Sequence, residues 1–424
     1  MDRLILAIDQ GTTSTRAIAF SVSPEGGFTV VGVSQIELAQ HFPQSGWVEH
    51  DAAEIWSATL ETCRAVIAGA GGIALFAAIG ITNQRETAVM WDTATGEPLH
   101  RAVVWQDRRT ADVTAHLTAE GHEPRVQAAT GLILDPYFSA TKFAWLLDAV
   151  PGARERAARG EVKLGTIESW LIWKLTGGAR HVTDATNASR TSLMDLTTRE
   201  WRDDLCALFR VPREALPEIH GCSAHFGDCD PALFGAALPI HGAAGDQQSA
   251  LVGHWAMNPG DAKITYGTGA FLVPGFTGLG APWWEPDARG TITGLTRDSG
   301  PAHFVRAALE ALAYQTRDLL DALVADGAPP LAVLRVDGGV TANGFAMQFV
   351  ADICEVTVER PALQEMTALG AARLAALGIG LIDDLGAPAS EAPTVWTPKM
   401  GKEERIQAIK GWQSAVRAAI IAAQ

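Results

Sequence analysis

The stretch Leu4-Ile5-Leu6-Ala7-Ile8-Asp9-Gln10-Gly11-Thr12-Thr13-Ser14-Thr15-Arg16-Ala17-Ile18-Ala19-Phe20-Ser21 decides the reading of the fold. Leu4–Ile8 is an unbroken apolar run of the kind a buried strand requires, and it stops at a turn rich in glycine and hydroxyl side chains. Strand character resumes at Arg16–Ser21, so the spacing predicts a hairpin. Gly11 lets the main chain approach an anion closely. Thr12, Thr13 and Ser14 offer hydroxyl and amide donors to phosphate, and Arg16 adds positive charge. Asp9, at the end of the strand, can hold Mg²⁺ through water, because that ion keeps much of its hydration shell. The same residues also suit an ordinary hairpin turn. No Gly-Lys-Ser/Thr follows, so this is not a Walker loop.

A second block has the same form: strand-like Ala262–Thr265, the turn Tyr266-Gly267-Thr268-Gly269, then apolar Ala270–Val273. Gly267 and Thr268 read as a second phosphate cradle or as a tight turn. Two such blocks, one in each half, suggest a weak internal repeat and a duplicated domain. Helical spacing covers Ala52–Ala68, Gly165–Thr176 (closed by Gly177-Gly178), Phe304–Ala325 and Asn343–Ile353. Ile73–Ile81 and Val333–Val336 read as buried strands. Strands alternating with helices argue an α/β architecture. The predicted seam lies near Pro239–Gly245, giving domains 1–242 and 243–424.

Composition narrows the function. The 424 residues carry 33 Lys+Arg against 48 Asp+Glu, a net charge of −15, and a nucleic-acid binder would need a basic face. With 47% hydrophobic residues the chain can bury a sizeable core. Five scattered cysteines argue against a disulfide framework. No leader or membrane span is visible, and a soluble, cytoplasmic protein is expected.

Taken together, the first loop, the second loop and Asp337-Gly338-Gly339-Val340-Thr341-Ala342-Asn343 resemble the actin/hexokinase/Hsp70 class of ATP-binding proteins. Longer stretches narrow this to the FGGY family of carbohydrate kinases, most specifically its glycerol kinases. They are Gly80–Thr87, Val104-Trp105-Gln106-Asp107-Arg108-Arg109-Thr110, Asp135-Pro136-Tyr137-Phe138-Ser139, Val182–Thr191, Gly245-Asp246-Gln247-Gln248 and Phe276–Trp283. The resemblance implies two ribonuclease-H-like α/β domains flanking a catalytic cleft, with ATP, Mg²⁺ and glycerol as ligands and a homo-oligomer, dimer or tetramer, as the assembly. It implies polyol binding by Arg85, Glu86, Tyr137, Asp246 and Gln247, and nucleotide contacts at Gly339 and Asn343. Trp105 and Phe271 could pack on the carbon skeleton. A triol offers three hydroxyls, and pairing each with a fixed polar group rejects analogues that lack one. Asp246 is the expected general base: a carboxylate in reach of the attacking hydroxyl takes its proton. It could also cap the helix that follows.

Two departures from the family pattern stand out. After Val273 the chain runs directly into Pro274-Gly275, where the family carries further strands and a helix, so the second domain is expected to be shortened by a deletion near 273–274. Pro231–Ile240 lacks the Gly-Gly-x-Arg loop through which bacterial relatives bind a sugar bisphosphate, so that inhibition is not expected. Cys222, His225 and Cys229 fit no common zinc spacing. Ala368–Gly378 reads as a close-packed helix of small residues. The alternatives to a glycerol kinase are a kinase for another small polyol or ketose, and a non-catalytic polyol-binding relative.

Overall fold

The opening hairpin forms as the apolar run requires. In the computed structural model β1 (Arg3–Gln10) pairs antiparallel with β2 (Ser14–Val22), placing Asp9 opposite Arg16, and β2 pairs with β3 (Phe28–Glu37). Residues 3–256, 262–265, 273–275, 278–295, 300–363, 365–385 and 392–423 are described. They fall into two units, Met1–Trp255 with Glu365–Pro388 and Ala256–Gln364 with Ala389–Gln424.

In the first unit, β4 (Phe76–Asn83), β5 (Gly227–Asp228) and β6 (Pro239–Gly245) complete a six-stranded sheet of order β5-β6-β4-β1-β2-β3. The strands β1, β4 and β6 run parallel, and Gln10, Asn83 and Gly245 lie abreast at their carboxyl ends. Three loops that are far apart in sequence therefore leave one edge of the sheet side by side, the edge at which parallel α/β sheets bind ligands. Pro239–Gly245, where the sequence reading sets the seam, is an interior strand of this sheet, and the chain passes to the second unit after Trp255.

Helix α1 (Ala52–Gly69) matches its predicted span and begins where the Asp51 carboxylate accepts the Ala53 amide at 2.9 Å. It buries Ile55, Cys63, Val66 and Ile67 in a core with Leu6, Ile8 and Ile79. The strand read from Ile73 begins only at Phe76, because Ile73–Leu75 winds into a short 3-10 turn closed by Leu75 N donating to Gly72 O. Helix α2 (Ser139–Ala149) packs into a second core around Phe143, Leu146 and Leu147. Helix α3 (Ile167–Leu175) starts later than expected because Gly165 ends the strand Val162–Gly165, which pairs with Val89–Asp92. It closes as predicted, with left-handed Gly177 and Gly178 and Gly178 N donating to Trp173 O at 2.8 Å.

Helices α4 (Asp246–Gly253) and α5 (Met366–Gly378) cover the sheet at van der Waals contact. A Cβ added at Gly80 or Gly242 would stand 2.2 or 2.7 Å from the Ala371 carbonyl oxygen, and one at Gly370 only 1.7 Å from Ser249 O. The small residues of α5 thus serve close packing, as the sequence reading expects.

The second unit holds a four-stranded sheet of β7 (Ala262–Thr265), β8 (Val333–Asp337), β9 (Thr357–Arg360) and β10 (Thr394–Trp396) in that order. The first three strands are parallel and the last antiparallel. Helices Pro301–Ala325 and Gly344–Cys354 bury Leu312, Phe349, Val350 and Ile353 against Leu334, Val336 and Val358. Among the described residues no helix is long and apolar enough to cross a membrane.

Candidate active site

The loop after β1 is held from several directions. Gly11 N donates to Ser14 O at 2.9 Å, and Thr13 O accepts Leu38 N. Trp105 Nε1 donates to the Thr12 hydroxyl at 2.9 Å. Gln84 Nε2 reaches Gly11 O at 3.1 Å and lies 3.2 Å from His50 Nδ1. His50 is buried, and burial pulls its imidazole down to about 4, so it is a neutral support under this loop. Ser14 is buried at the start of β2, whereas Thr13 is exposed.

Asp9 is 7% exposed and lies 3.6 Å from Arg16, which also pairs with Glu365 at 2.8 Å. Burial pushes the Asp9 carboxyl up to about 6; Arg16 opposes this, and the charges of Glu365 and Asp246 add to it. Such a desolvated acid gains from a cation, which suits the expected role. Among the described residues no group of three acidic, His or Cys side chains could form an all-protein metal cage. A single carboxylate suits Mg²⁺, which completes its shell with water and phosphate.

At the ends of β4 and β6 the polyol candidates converge. Arg85 Nε donates to Asp246 Oδ1 at 3.1 Å, joining two motifs separated by most of the first unit. Gly245 makes room for this contact, since a Cβ there would stand 2.5 Å from Arg85 Cγ and Cδ. Gly245, not Asp246, occupies the N-cap of α4. Asp246 is the first helical residue, and its Oδ1 accepts the Gln247 amide at 2.7 Å. Gln247 is half-buried on the same turn.

Glu86 is 1% exposed and adopts φ 61°, a left-handed conformation that costs a non-glycine residue. Burial pushes its carboxyl above the ordinary range, while the Arg85 and Arg190 guanidiniums and Lys142 oppose that rise. Arg190 Nε donates to Glu86 Oε1 at 2.5 Å, and the guanidinium lies over the Phe138 and Tyr137 rings at 4.9 and 5.7 Å. Tyr137 packs edge-on against Trp105, with ring centroids 5.6 Å apart. Burial and the Glu86 charge raise the Tyr137 phenol to about 12, so it remains a hydrogen-bond donor.

A buried polar network locates the two loops. Asn83 and Asn187 exchange side-chain hydrogen bonds at 3.0 and 2.9 Å. Asn83 also donates to Glu168, and Asn187 to Asp184 at 2.6 Å. Asp184 accepts the Thr186 hydroxyl, whose oxygen accepts the Gly245 amide at 2.9 Å. Burial and the Asp184 charge push Glu168 up to about 7, and burial raises Asp184. Sequence reasoning quoted the block containing Asp184, Asn187 and Arg190 without giving any of them a role. An arginine at the end of so polar a block was the available signal.

In the second unit β8 ends at Asp337, and Gly338 (φ 92°) turns the chain into Gly339–Ala342. A Cβ at Gly339 would meet nothing within 4 Å. The Asn343 side chain caps the next helix by accepting Ala346 N at 3.1 Å. Gly267, Thr268 and Phe271 lie outside the described residues.

Two family models match this chain: the N-terminal domain of the FGGY family of carbohydrate kinases over residues 4–253 and its C-terminal domain over 205–379. The chain belongs to the FGGY family of carbohydrate kinases. It is 47% identical to "Glycerol kinase 1" of Pseudomonas aeruginosa, covering 98% of this chain and 99% of the relative. It is 46% identical to a glycerol kinase of Nitrobacter hamburgensis, with 97% of each covered. Among solved structures it resembles Plasmodium falciparum glycerol kinase with ADP, at a TM-score of 0.88 and 32% identity over 99% of this chain and 98% of that one. A gluconate kinase from Lactobacillus acidophilus, at 19% identity and TM-score 0.85 over 100% and 99%, shares the FGGY fold. The Pseudomonas alignment spans 493 positions against 424 residues here, so at least 69 of them face no residue of this FGGY chain.

Proposed function

We propose that this chain is an ATP-dependent glycerol kinase, converting glycerol and ATP to sn-glycerol 3-phosphate and ADP. One observation carries the reading: the motifs that resemble those of glycerol kinases meet in the fold, with Arg85 on Asp246 at 3.1 Å and Glu86, Tyr137 and Trp105 around them. The gluconate and xylulose kinases that share the fold resemble this chain at 19–23% identity, too low to favour a different sugar.

Arg85, Glu86, Tyr137, Asp246 and Gln247 bind the hydroxyls of glycerol, and Trp105 packs on its carbons. The Asp246 carboxylate, oriented by Arg85, accepts the proton of the terminal hydroxyl as its oxygen bonds to the γ-phosphorus and the bond to the β,γ-bridging oxygen breaks. Thr12, Thr13, Ser14 and Arg16 position the phosphates. By resemblance Gly339 and Asn343 contact the nucleotide, Asn343 also capping the helix that follows. Gly267, Thr268 and Phe271 complete the set by resemblance, and the sequence reading sets the shortening of the second domain just after them, near 273–274. Asp9 is the side chain that would hold Mg²⁺, which when bound neutralises charge on the transferring phosphoryl group.

The test is ADP release coupled to a reporter, with and without glycerol. The intact protein should release ADP in proportion to glycerol turnover, and Asp246→Asn should lower kcat by about 10²–10⁴-fold. An intact protein that releases no ADP in response to glycerol would overturn the proposal.

A further inference from the structure

We propose that Lys142 is a positioning residue for the polyol: its ammonium holds from beneath the Pro136-Tyr137-Phe138 main chain that presents Tyr137 to the substrate. This rests on the reading of Tyr137 as a glycerol contact. Lys142 stands in the first turn of α2 and is 0% exposed. Its Nζ donates to three successive carbonyls, Pro136 at 2.6 Å, Tyr137 at 2.5 Å and Phe138 at 3.1 Å. An ammonium has three donors, and this one spends them all on one segment of backbone. Among the described residues no carboxylate lies within ion-pairing distance of it.

The placement is costly. A buried charge loses its hydration, and a cation near a helix N-terminus opposes the helix dipole. Burial pulls the ammonium down to about 7; Glu86, Asp107 and Asp135 work against that fall, and Arg108 adds to it. Packing alone would be served by methionine or leucine in the same space, so the charge answers to the three carbonyls. What they fix is the segment carrying the Tyr137 ring, against Trp105 and Phe138 and under Arg190. Ser139 Oγ ties the same segment to Glu86 O at 3.0 Å. Displacement of this backbone moves the phenol, whereas Asp246 is held separately by Arg85 and the Gln247 amide.

The experiment compares Lys142→Met, Lys142→Gln, Tyr137→Phe and the Lys142→Gln/Tyr137→Phe double variant in steady-state assays, with thermal unfolding as a check on folding. Each Lys142 variant should raise the KM for glycerol by about tenfold while kcat and the KM for ATP stay within about twofold. The double variant should be little worse than Tyr137→Phe alone, because once the hydroxyl is gone there is nothing left to place. Lys142→Gln keeps two donors and serves as the folded variant if Lys142→Met does not fold. An unchanged glycerol KM, a loss confined to kcat, or additive effects in the double variant would overturn the inference. An intact protein without glycerol-dependent ADP release would instead remove the functional reading beneath it.

Discussion

The loops at the ends of β1, β4 and β6 in the first unit and the turn at the end of β8 in the second occupy the same place on a parallel sheet, yet they are built differently. The first set works through side chains. Arg85, Glu86, Arg190, Tyr137 and Asp246 are fixed by ion pairs, ring contacts and a buried amide-carboxylate network. The second offers main chain, with Gly338 in a left-handed turn, Gly339 open to its surroundings and Asn343 occupied as a cap. A small triol has only hydroxyls to recognise and needs directed side-chain partners; a nucleotide has surface enough for backbone to approach. The first region tolerates little change and the second more.

Three substitutions probe that contrast. Arg190→Met should have the largest effect, since it removes the partner that half-buried Arg190 gives the buried Glu86 carboxylate, and the glycerol KM should rise by about two orders of magnitude. It also carries a pH signature. The Glu86 carboxyl is raised by burial and held down by Arg85 and Arg190, so losing Arg190 raises it further. With Glu86 as a proposed glycerol contact, affinity should fall as pH drops and Glu86 gains its proton, and in the variant this fall should begin at higher pH than in the intact protein. Glycerol KM measured from acid to alkaline pH checks it, and superimposable profiles would remove Glu86 from binding. Gly245→Ala comes next: the new methyl displaces Arg85 from Asp246, and the glycerol KM should rise by about tenfold with the ATP KM unchanged. Gly339→Ala is the smallest. With open space around it, stability should stay within about 0.5 kcal/mol by thermal unfolding. The KM for ATP alone should rise, by roughly threefold or about 0.7 kcal/mol. If Gly339→Ala proves as damaging to glycerol binding as Gly245→Ala, the contrast between the regions is void.

Much of this was readable in the residues themselves. The apolar run Leu4–Ile8, followed by the turn at Gly11 and resumed strand character at Arg16, reads as a hairpin, and the hairpin forms. Arg85-Glu86 and Asp246-Gln247 sat in recognisable blocks, and the parallel register of β4 and β6 explains why they meet. What stayed hidden depends on tertiary context. Lys142, in an amphipathic helix, looks like any solvated lysine until the fold buries it under three carbonyls. Arg190 gains meaning only when Glu86 and Phe138 are brought beneath it. The strand Val162–Gly165 has no counterpart in the sequence reading, which assigns only Gly165, to the helix that follows, because four residues carry too little periodicity to announce themselves.

The helix Met366–Gly378 is supplied more than a hundred residues after the last strand of the sheet it covers. During synthesis on the ribosome, the glycine-lined face of β4 and β6 therefore stays wet until the chain is nearly finished. The first unit cannot mature ahead of the rest, and a polypeptide stopped at Trp255 leaves translation with that one face of its sheet lacking the cover of Met366–Gly378.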